Sequence, residues 1–303
     1  MIFDNCFWLF HCEQRVYACL MRKNQRTGLH VSAAGGVENA PENAKAIGAE
    51  CFQFFSRSPR GGPAPSISDK QASLFKQRCN QYGFESYIHT PYYINFCSAQ
   101  KHLSAAAPRI VREELVRGSQ LGVKYVVTHL GSAKDYDGDT KSALKQVVSG
   151  LKEIYRGQPD LSTQLLLEIS AGSGAVVGNS FEELGFLLKE LDRSDVHICL
   201  DTCHMFASGY DLRTASAINA TMKEFRRHIG ISHFKLLHIN DSMTELNSHK
   251  DRHEHLGRGK IGEDGLKAIL QHPDFQKINL ILETKHDGLL KDDLQFLKKN
   301  RKY

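Results

Sequence analysis

Eight short apolar runs recur along the chain, and a longer amphipathic stretch follows each of them. The runs are rich in β-branched and aromatic residues, which is typical of β-strands. The predicted strands are Leu29–Ser32, Cys51–Phe55, Ser86–His89, Tyr125–His129, Leu165–Ile169, Val196–Asp201, Phe234–Ile239 and Asn279–Glu283. Regular alternation of strands and helices predicts an α/β fold.

The stretches between the runs carry apolar residues at helical spacing, and several begin with helix-start signals such as Asn179–Glu182. The predicted helices are Glu38–Ile47, Asp69–Tyr82, Ala105–Leu121, Lys141–Tyr155, Ser180–Leu191, Ala215–His228, Glu263–Gln271 and Leu290–Lys299. Eight strand–helix pairs predict a (β/α)8 TIM barrel, and its typical length of roughly 250 residues fits residues 29–303. The alternative is a doubly wound open sheet, which usually has fewer strands.

Composition excludes several other classes of protein. Hydrophobic residues make up 41% and charged residues 24% of the chain, as in a soluble globular protein. The net charge of +5 permits a polyanionic partner without requiring one. The eight cysteines form no C-x-x-C pair, so a reducing compartment is the simplest expectation. No apolar run approaches the roughly 18 residues of a membrane helix, so we expect no membrane partner.

Residues 1–28 hold three of the eight cysteines and the only tryptophan. We interpret them as an irregular N-terminal extension before a barrel domain over 29–303. The apolar stretch Cys6–Cys12 follows acidic Asp4 instead of a basic segment, so no secretory signal is predicted. We expect an intracellular protein of the nucleus or cytoplasm, with a mitochondrial presequence as the alternative because basic residues outnumber acidic ones in the extension. The basic segment Lys298–Lys302 fits either a nuclear signal or a solvated helix end.

Six of the eight predicted strands deliver a histidine or a carboxylate to the same end of the barrel. The candidates are His89, His129, Glu168, Asp201, His204, His238, Asp251, His253 and Glu283. This end is the C-terminal face, where barrel enzymes build their active sites. Any one of these residues alone is most simply a solvated loop residue or a hydrogen-bonded cap. Together they predict a metal cluster, because half-buried charges are costly unless they are paired or bound to cations.

The ligand types narrow the choice of metal. Five histidines, two aspartates and two glutamates, with no cysteine, suit zinc, manganese or iron in a site with open positions. Nine ligands are too many for one ion, and with bridging carboxylates they suit two or three. Sites of this kind hydrolyse phosphoesters, because they create hydroxide near neutral pH and stabilise both the attacking and the leaving oxygen.

Five motifs give the chain a resemblance to the endonuclease IV family of apurinic/apyrimidinic endonucleases. They are Gly28–Gly36 (GLHVSAAGG), Leu200–Asp211 (LDTCHMFASGYD), His238–Ser242 (HINDS), Asp251–Gly257 (DRHEHLG) and Leu280–Thr284 (LILET). The motifs occur in the family's order and spacing, and the resemblance covers about residues 28–300. It implies a (β/α)8 barrel with three zinc ions per chain, which acts on DNA.

The resemblance also implies how the ligands divide among the ions. The three sets are His89, His129 and Glu168; Glu168, Asp201, His238 and Glu283; and His204, Asp251 and His253. Glu168 would bridge two ions and help orient the hydroxide, and the predicted catalytic residues are Glu168 and Glu283. Cys203 lies between two ligands in its motif, but the resemblance does not make it one, and a small buried packing residue is the simpler interpretation.

The implied reaction is cleavage of the phosphodiester 5′ to an abasic site, which leaves a 3′-hydroxyl and a 5′ sugar phosphate. The family also trims blocked 3′ ends in base excision repair. The expected partner is therefore double-stranded DNA with abasic or 3′-blocked lesions, bound by a monomer. An abasic nucleotide suits such an enzyme because, with no base stacked or paired, it is easily turned out of the helix.

Two residues resemble family residues that enter the DNA at the lesion: Tyr92 after the third strand and Arg60 after the second. The family usually has a Lys-Asn pair before this arginine, whereas here the segment Arg57–Arg60 reads RSPR and runs into Gly61 and Gly62. The loop 57–68 is too long for a simple connection, which favours a functional role.

Two other functions share parts of this pattern. Sugar isomerases and epimerases use the same barrel with one or two metal ions and have no need of the third ligand set, so a metal count separates them from the nuclease. A non-catalytic DNA-binding or zinc-storing protein would keep the ligands without cleaving DNA.

Overall fold

The computed structural model describes residues 25–157 and 161–302. Within them, eight parallel strands close into a barrel. They are β1 (Thr27–Val31), β2 (Cys51–Phe54), β3 (Glu85–His89), β4 (Tyr125–Thr128), β5 (Gln164–Glu168), β6 (Val196–Asp201), β7 (Phe234–His238) and β10 (Asn279–Leu282). Their order around the barrel is β1-β10-β7-β6-β5-β4-β3-β2. Strands β8 (Asp241–Ser242) and β9 (His253–Glu254) form a separate two-stranded sheet. The closed barrel confirms the predicted fold, and each strand lies within two residues of its predicted bounds.

Helices follow the strands and surround the barrel. They are α1 (Ala40–Ile47), α2 (Asp69–Tyr82), α3 (Lys101–Leu121), α4 (Thr140–Tyr155), α5 (Phe181–Leu191), α6 (Thr202–Ala207), α7 (Ala215–His228), α8 (Gly262–Gln271) and α9 (Leu290–Asn300). Side chains cap several of them, and at the start of α2 Ser68 and Gln71 form a reciprocal capping box. Three short 3₁₀ helices occupy Val37–Asn39, Lys134–Tyr136 and Ile231–His233.

Two small elements are absent from the sequence prediction. Helix α6 begins directly after β6 and has six residues, and the antiparallel pair β8 (Asp241–Ser242) and β9 (His253–Glu254) has two residues in each strand. Neither is long enough to produce a recognisable hydrophobic period. Both lie after strands that carry predicted ligands, so they shape the same end of the barrel.

Strand alternation divides the core into an outer and an inner part, because successive side chains point to opposite faces. On β2, for example, Phe52 and Phe54 join the large outer core, whereas Cys51 belongs to a smaller cluster. The smaller cluster consists of Cys51, Tyr87, Tyr125, Val127, Leu166, Cys199, Leu236 and Ile281. These side chains fill the barrel interior and form a floor beneath its C-terminal end.

The ends of the chain lie partly outside the described residues. Residues 1–24 of the predicted extension are outside them, and β1 begins at Thr27, two residues before the predicted strand. The cysteines that the structure describes are free and buried. Among the described helices, none combines the length and the apolar character needed to cross a membrane.

Candidate metal centre

The polar side chains of the centre stand directly above the apolar floor. Six of the predicted ligands lie two residues after a floor residue in the sequence, as Glu168 follows Leu166 and His238 follows Leu236. The same step gives His89, His129, Asp201 and Glu283, and also Gln53 on β2. Strand alternation therefore explains why these polar groups meet inside an apolar barrel.

Two ligand groups meet at the carboxylate of Glu168, which is fully buried. Its Oε2 lies 3.0 Å from Nε2 of His89 and 3.5 Å from Nε2 of His129. Its Oε1 lies 2.9 Å from Nδ1 of His238, and that nitrogen lies 3.3 Å from Oε2 of Glu283. The two oxygens of one carboxylate thus face two different sets of ligands, which is the arrangement of a bridging ligand.

The third group has the geometry of a metal site on its own. Oδ1 of Asp251 lies 3.3 Å from Nε2 of His204 and 3.4 Å from Nε2 of His253, and the two nitrogens are 3.4 Å apart. A tetrahedral zinc ion with bonds of 2.0–2.1 Å separates its ligand atoms by roughly 3.3–3.4 Å. The three atoms therefore form a triangle of the size that zinc requires.

Asp201 lies between the second and third groups. Together with Glu168, His238 and Glu283 it forms one cluster of ligand atoms within 4.8 Å of one another, and its Oδ2 lies 3.7 Å from Nε2 of His253. Its Oδ1 accepts a hydrogen bond from the backbone amide of His204 and so begins helix α6, at 2.8 Å. The cap fixes His204 relative to Asp201, which brings the ligands of two groups into one rigid turn.

Hydrogen bonds set the tautomer of four of the five predicted histidine ligands. Nδ1 of His89, His204 and His253 faces the backbone carbonyl oxygen of Thr90, Ile169 and Glu283 respectively. His238 differs, because its Nε2 faces the side-chain Oε1 of Gln53 at 2.9 Å. In the neutral rings of His89, His204 and His253 the proton therefore lies on Nδ1, and in that of His238 it lies on Nε2. The other nitrogen of each ring faces the carboxylates and can bind a metal.

Electrostatics favour a positive charge in the centre. Burial opposes the ionisation of Glu168, but attraction to His129 and His238 holds its pKa well below the usual value. Burial also disfavours the charged form of His204, yet attraction to Asp201 and Asp251 raises its pKa well above the usual value. Burial lowers the pKa of His129, which favours the neutral ring that binds metals. The buried carboxylates therefore hold a cation in the centre, and a divalent ion can take the place of the proton on His204, because metal binding displaces that proton.

Cys203 lies beside the third group but is a poor ligand. Its Sγ falls in one cluster with Asp251 and His253. The thiol donates to the backbone oxygen of Arg252 at 3.5 Å, and burial raises the pKa of Cys203 to about 12. Because a metal binds the thiolate, the protonated thiol supports the interpretation of Cys203 as a packing residue.

The predicted DNA-contacting residues lie near the opening of the barrel. Tyr92 is 68% exposed, and its ring packs edge-on against Phe55 at 5.1 Å between centroids. It lines a cavity of about 480 Å³ over the ligand groups, together with residues that include His30 and Lys285. Arg60 is exposed in the loop between β2 and α2. The structure thus places Tyr92 beside the candidate ligands and Arg60 on a neighbouring loop.

A buried polar network holds the base of that loop against helix α3. The carboxylate of Glu114 accepts hydrogen bonds from Ser56 and from the guanidinium of Arg57. Arg117 donates to Ser56 and, at 2.6 Å, to the backbone oxygen of Pro65. Sequence reasoning missed these residues because their pairing depends on contacts between positions more than 50 residues apart.

Two further residues missed from the sequence support the ligands directly. Gln53 contacts His238 and Glu283, and Asn240 donates to Oδ2 of Asp201 at 2.7 Å while it accepts from the backbone amide of Glu283 at 2.8 Å. The sequence around each of these two residues contains a feature that could have identified it. Gln53 is the one polar residue in the apolar run CFQFF, and Asn240 lies within the HINDS motif.

Comparisons with known proteins show the relatives of the chain and its fold. Residues 41–300 match the family model described as a xylose isomerase-like TIM barrel. The chain is 38% identical over 263 residues to a probable endonuclease 4 from Haloquadratum walsbyi. The matched region covers 86% of this chain and 92% of that protein. The crystal structure of endonuclease IV from Thermus thermophilus superposes with a TM-score of 0.80 at 32% identity, over 90% of this chain and 98% of that chain.

A more distant likeness shows the fold alone. A D-tagatose 3-epimerase-like protein superposes with a TM-score of 0.68 at 18% identity, over 90% of this chain and 94% of that chain. The barrel is thus shared with sugar-converting enzymes, while sequence identity above 30% is found with the endonucleases.

Proposed function

Because the chain belongs to the endonuclease IV family and is therefore a DNA-cleaving hydrolase of the DNA-repair class, we propose that it is a zinc-dependent apurinic/apyrimidinic endonuclease. It cleaves the phosphodiester 5′ to an abasic site, leaves a 3′-hydroxyl and a 5′ sugar phosphate, and trims blocked 3′ ends. Its partner is double-stranded DNA with one of these lesions, and it acts as a monomer.

The observation that carries the proposal is the triangle of His204, Asp251 and His253 beside the two groups that share Glu168. An enzyme with one or two ions has no use for this third group, whereas hydrolysis of a phosphodiester benefits from a cation at the leaving oxygen as well as at the nucleophile. The spacing of the triangle supports zinc as the ion.

The residues divide among three ions as the ligand groups do. His89, His129 and Glu168 hold the first; Glu168, Asp201, His238 and Glu283 hold the second; and His204, Asp251 and His253 hold the third. When bound, the ions supply a hydroxide near neutral pH and stabilise charge on the phosphate. The rigid floor keeps the carboxylates in place during the reaction, which is the source of electrostatic preorganisation.

The carboxylates of Glu168 and Glu283 are the catalytic residues of the chain itself. Each has one oxygen directed at Nδ1 of His238, at 2.9 and 3.3 Å. A carboxylate in this position accepts the hydrogen bond of an attacking water and so holds it against the phosphate. Burial keeps bulk water from competing for the oxygens of Glu168, which is fully buried, whereas the side chain of Glu283 is 18% exposed.

Tyr92 and Arg60 are the residues proposed to enter the DNA at the lesion. The exposed ring of Tyr92 over the cavity can stack where the missing base leaves a gap, which is worth about 1–3 kcal/mol for an aromatic residue and a base. The cavity of about 480 Å³ at the ligand groups is the place for the extruded sugar phosphate. Contacts of lysines and arginines with phosphates supply the remaining affinity, which should fall as salt rises.

The experiment that tests the proposal uses a duplex with one tetrahydrofuran abasic analogue and a labelled strand. We expect cleavage immediately 5′ to the analogue in the presence of Zn²⁺, a product that a polymerase can extend, and loss of cleavage after treatment with a chelator. An intact duplex under zinc-replete conditions would overturn the proposal. An undamaged duplex of the same sequence is the control.

A further inference from the structure

Gln53 joins two of the ligand residues from one side of the centre. It lies on β2, where it is fully buried and in register with His30 on the neighbouring strand β1. Its position is the level of the barrel at which the strands carry metal ligands. A neutral amide at this level neither binds zinc well nor packs as an apolar residue does, so its hydrogen bonds must account for its presence there.

The amide uses both of its ends. Its Nε2 donates to Oε1 of Glu283 at 2.6 Å, and a second hydrogen of the same nitrogen faces Nδ1 of His30 at 3.1 Å. Its Oε1 lies 2.9 Å from Nε2 of His238. Gln53 therefore contacts one carboxylate ligand and one imidazole ligand of the same proposed ion.

Only one orientation of the amide satisfies these neighbours. If the amide were reversed, its oxygen would face the carboxylate of Glu283, so the hydrogen bond to that carboxylate would become a repulsion. Nδ1 of His30 lies 3.1 Å from Nε2 of Gln53, where it can accept the remaining hydrogen of the amide. The fixed amide in turn requires the proton of His238 to be on Nε2.

This dependence distinguishes His238 from other ligands of the centre. In His89, His204 and His253 the far nitrogen faces a backbone carbonyl, which no side-chain substitution removes. For His238 the acceptor is the Gln53 side chain, so one substitution can release both the ring and Glu283. Partners of this type orient the ligands of metal sites, and their removal typically weakens metal binding by roughly 10- to 100-fold.

We propose that Gln53 is a positioning residue that sets the tautomer of His238 and the orientation of Glu283, and thereby the affinity of the ion that these two ligands share. Gln53 does not itself bind the ion. The inference rests on the proposed function in requiring that the centre holds metal. It goes further in assigning the affinity of one ion to a residue outside the ligand set.

The test compares Gln53→Met with Leu166→Met as the matched control. Both variants place the same side chain inside the barrel, but Leu166 belongs to the apolar floor. Each protein is titrated with Zn²⁺ against a chelating indicator, and its zinc content is measured after equilibration. For Gln53→Met we expect the affinity for one of the ions to fall roughly 10- to 100-fold, while Leu166→Met keeps the unaltered affinities.

A second measurement works on the unaltered protein and does not depend on the folding of a variant. Long-range ¹H–¹⁵N correlation spectra of the zinc-loaded protein report which ring nitrogen of His238 carries the proton. Protonated Nε2 is expected, and protonated Nδ1 would overturn the inference. Zinc affinities of Gln53→Met equal to those of Leu166→Met would also overturn it. An unaltered protein that binds no Zn²⁺ would instead overturn the proposed function itself.

Discussion

At the scale of single residues, the centre depends on carboxylates and imidazoles whose protonation is set by their neighbours. Glu168 is the clearest case, because its two oxygens face separate ligand groups and its burial leaves no water to replace a lost contact. An amide of the same shape keeps the volume but loses the charge. The rate of cleavage should therefore be far more sensitive to a substitution of Glu168 than the affinity for DNA, which depends on surface charges.

Replacing Glu168 with glutamine should reduce cleavage of the abasic duplex by about 100-fold or more, the range seen when one preorganised electrostatic group is removed. Binding of the abasic duplex should remain, because the lysines and arginines that meet phosphates are unchanged. Single-turnover cleavage and a binding titration measure the two effects separately. Glu182→Gln, an exposed residue on α5, is the matched control and should behave as the unaltered protein does. Normal cleavage by Glu168→Gln would show that the assigned role is wrong.

At the scale of elements, strand alternation explains why the site could be found in the sequence at all. The ends of the apolar runs predict strand ends, and the polar residues there predict side chains at one rim, as His89 and Glu168 illustrate. Contacts between segments distant in the sequence cannot be predicted in this way. The pairing of Arg57 with Glu114, and the hydrogen bond from Asn240 to Asp201, depend on where the loops fold back, and no local period encodes that.

The network beneath the loop that carries Arg60 gives a stability prediction with an internal control. Glu114 is fully buried and pairs with Arg57, whereas Glu113, the preceding residue on α3, pairs with the same guanidinium at 2.9 Å but is 39% exposed in its side chain. Glu114→Gln should destabilise the protein by about 1.5–3 kcal/mol, because it removes the buried charge partner of Arg57 and leaves only the partly exposed one. Glu113→Gln should cost at most about 1 kcal/mol. Denaturant unfolding measures both, and equal effects of the two substitutions would contradict the assignment.

In the whole molecule, β1 pairs with β10 to close the barrel, and side-chain contacts also join the two ends of the described chain. Arg301 donates to the backbone oxygen of Gln25 at 2.8 Å and to Oε1 of Glu50 at 2.9 Å. The other oxygen of Glu50 accepts the backbone amide of Thr27 at 3.0 Å. One carboxylate thus ties the first strand to the segment that follows the last helix.

This tie predicts a dependence of stability on pH. Burial opposes ionisation of Glu50, but the hydrogen bonds from Arg301 and Thr27 lower its pKa below the usual glutamate value. A carboxylate with a lowered folded-state pKa stabilises the protein above its unfolded pKa, and this contribution is lost as the pH falls through the folded value. Glu50→Gln should therefore lower the free energy of unfolding at neutral pH and make little difference in acid. Unfolding curves between neutral and acidic pH measure this, and a pH-independent difference would contradict it.

The proposed function requires three metal ions at one rim of the barrel, and the number of zinc ions bound per chain can be measured. Elemental analysis of protein purified and equilibrated with Zn²⁺ should give close to three ions per chain, and His204→Ala, which removes a ligand from the third group, should give close to two. A value of one or two for the unaltered protein, unchanged in His204→Ala, would contradict the account and favour a barrel of the sugar-epimerase type.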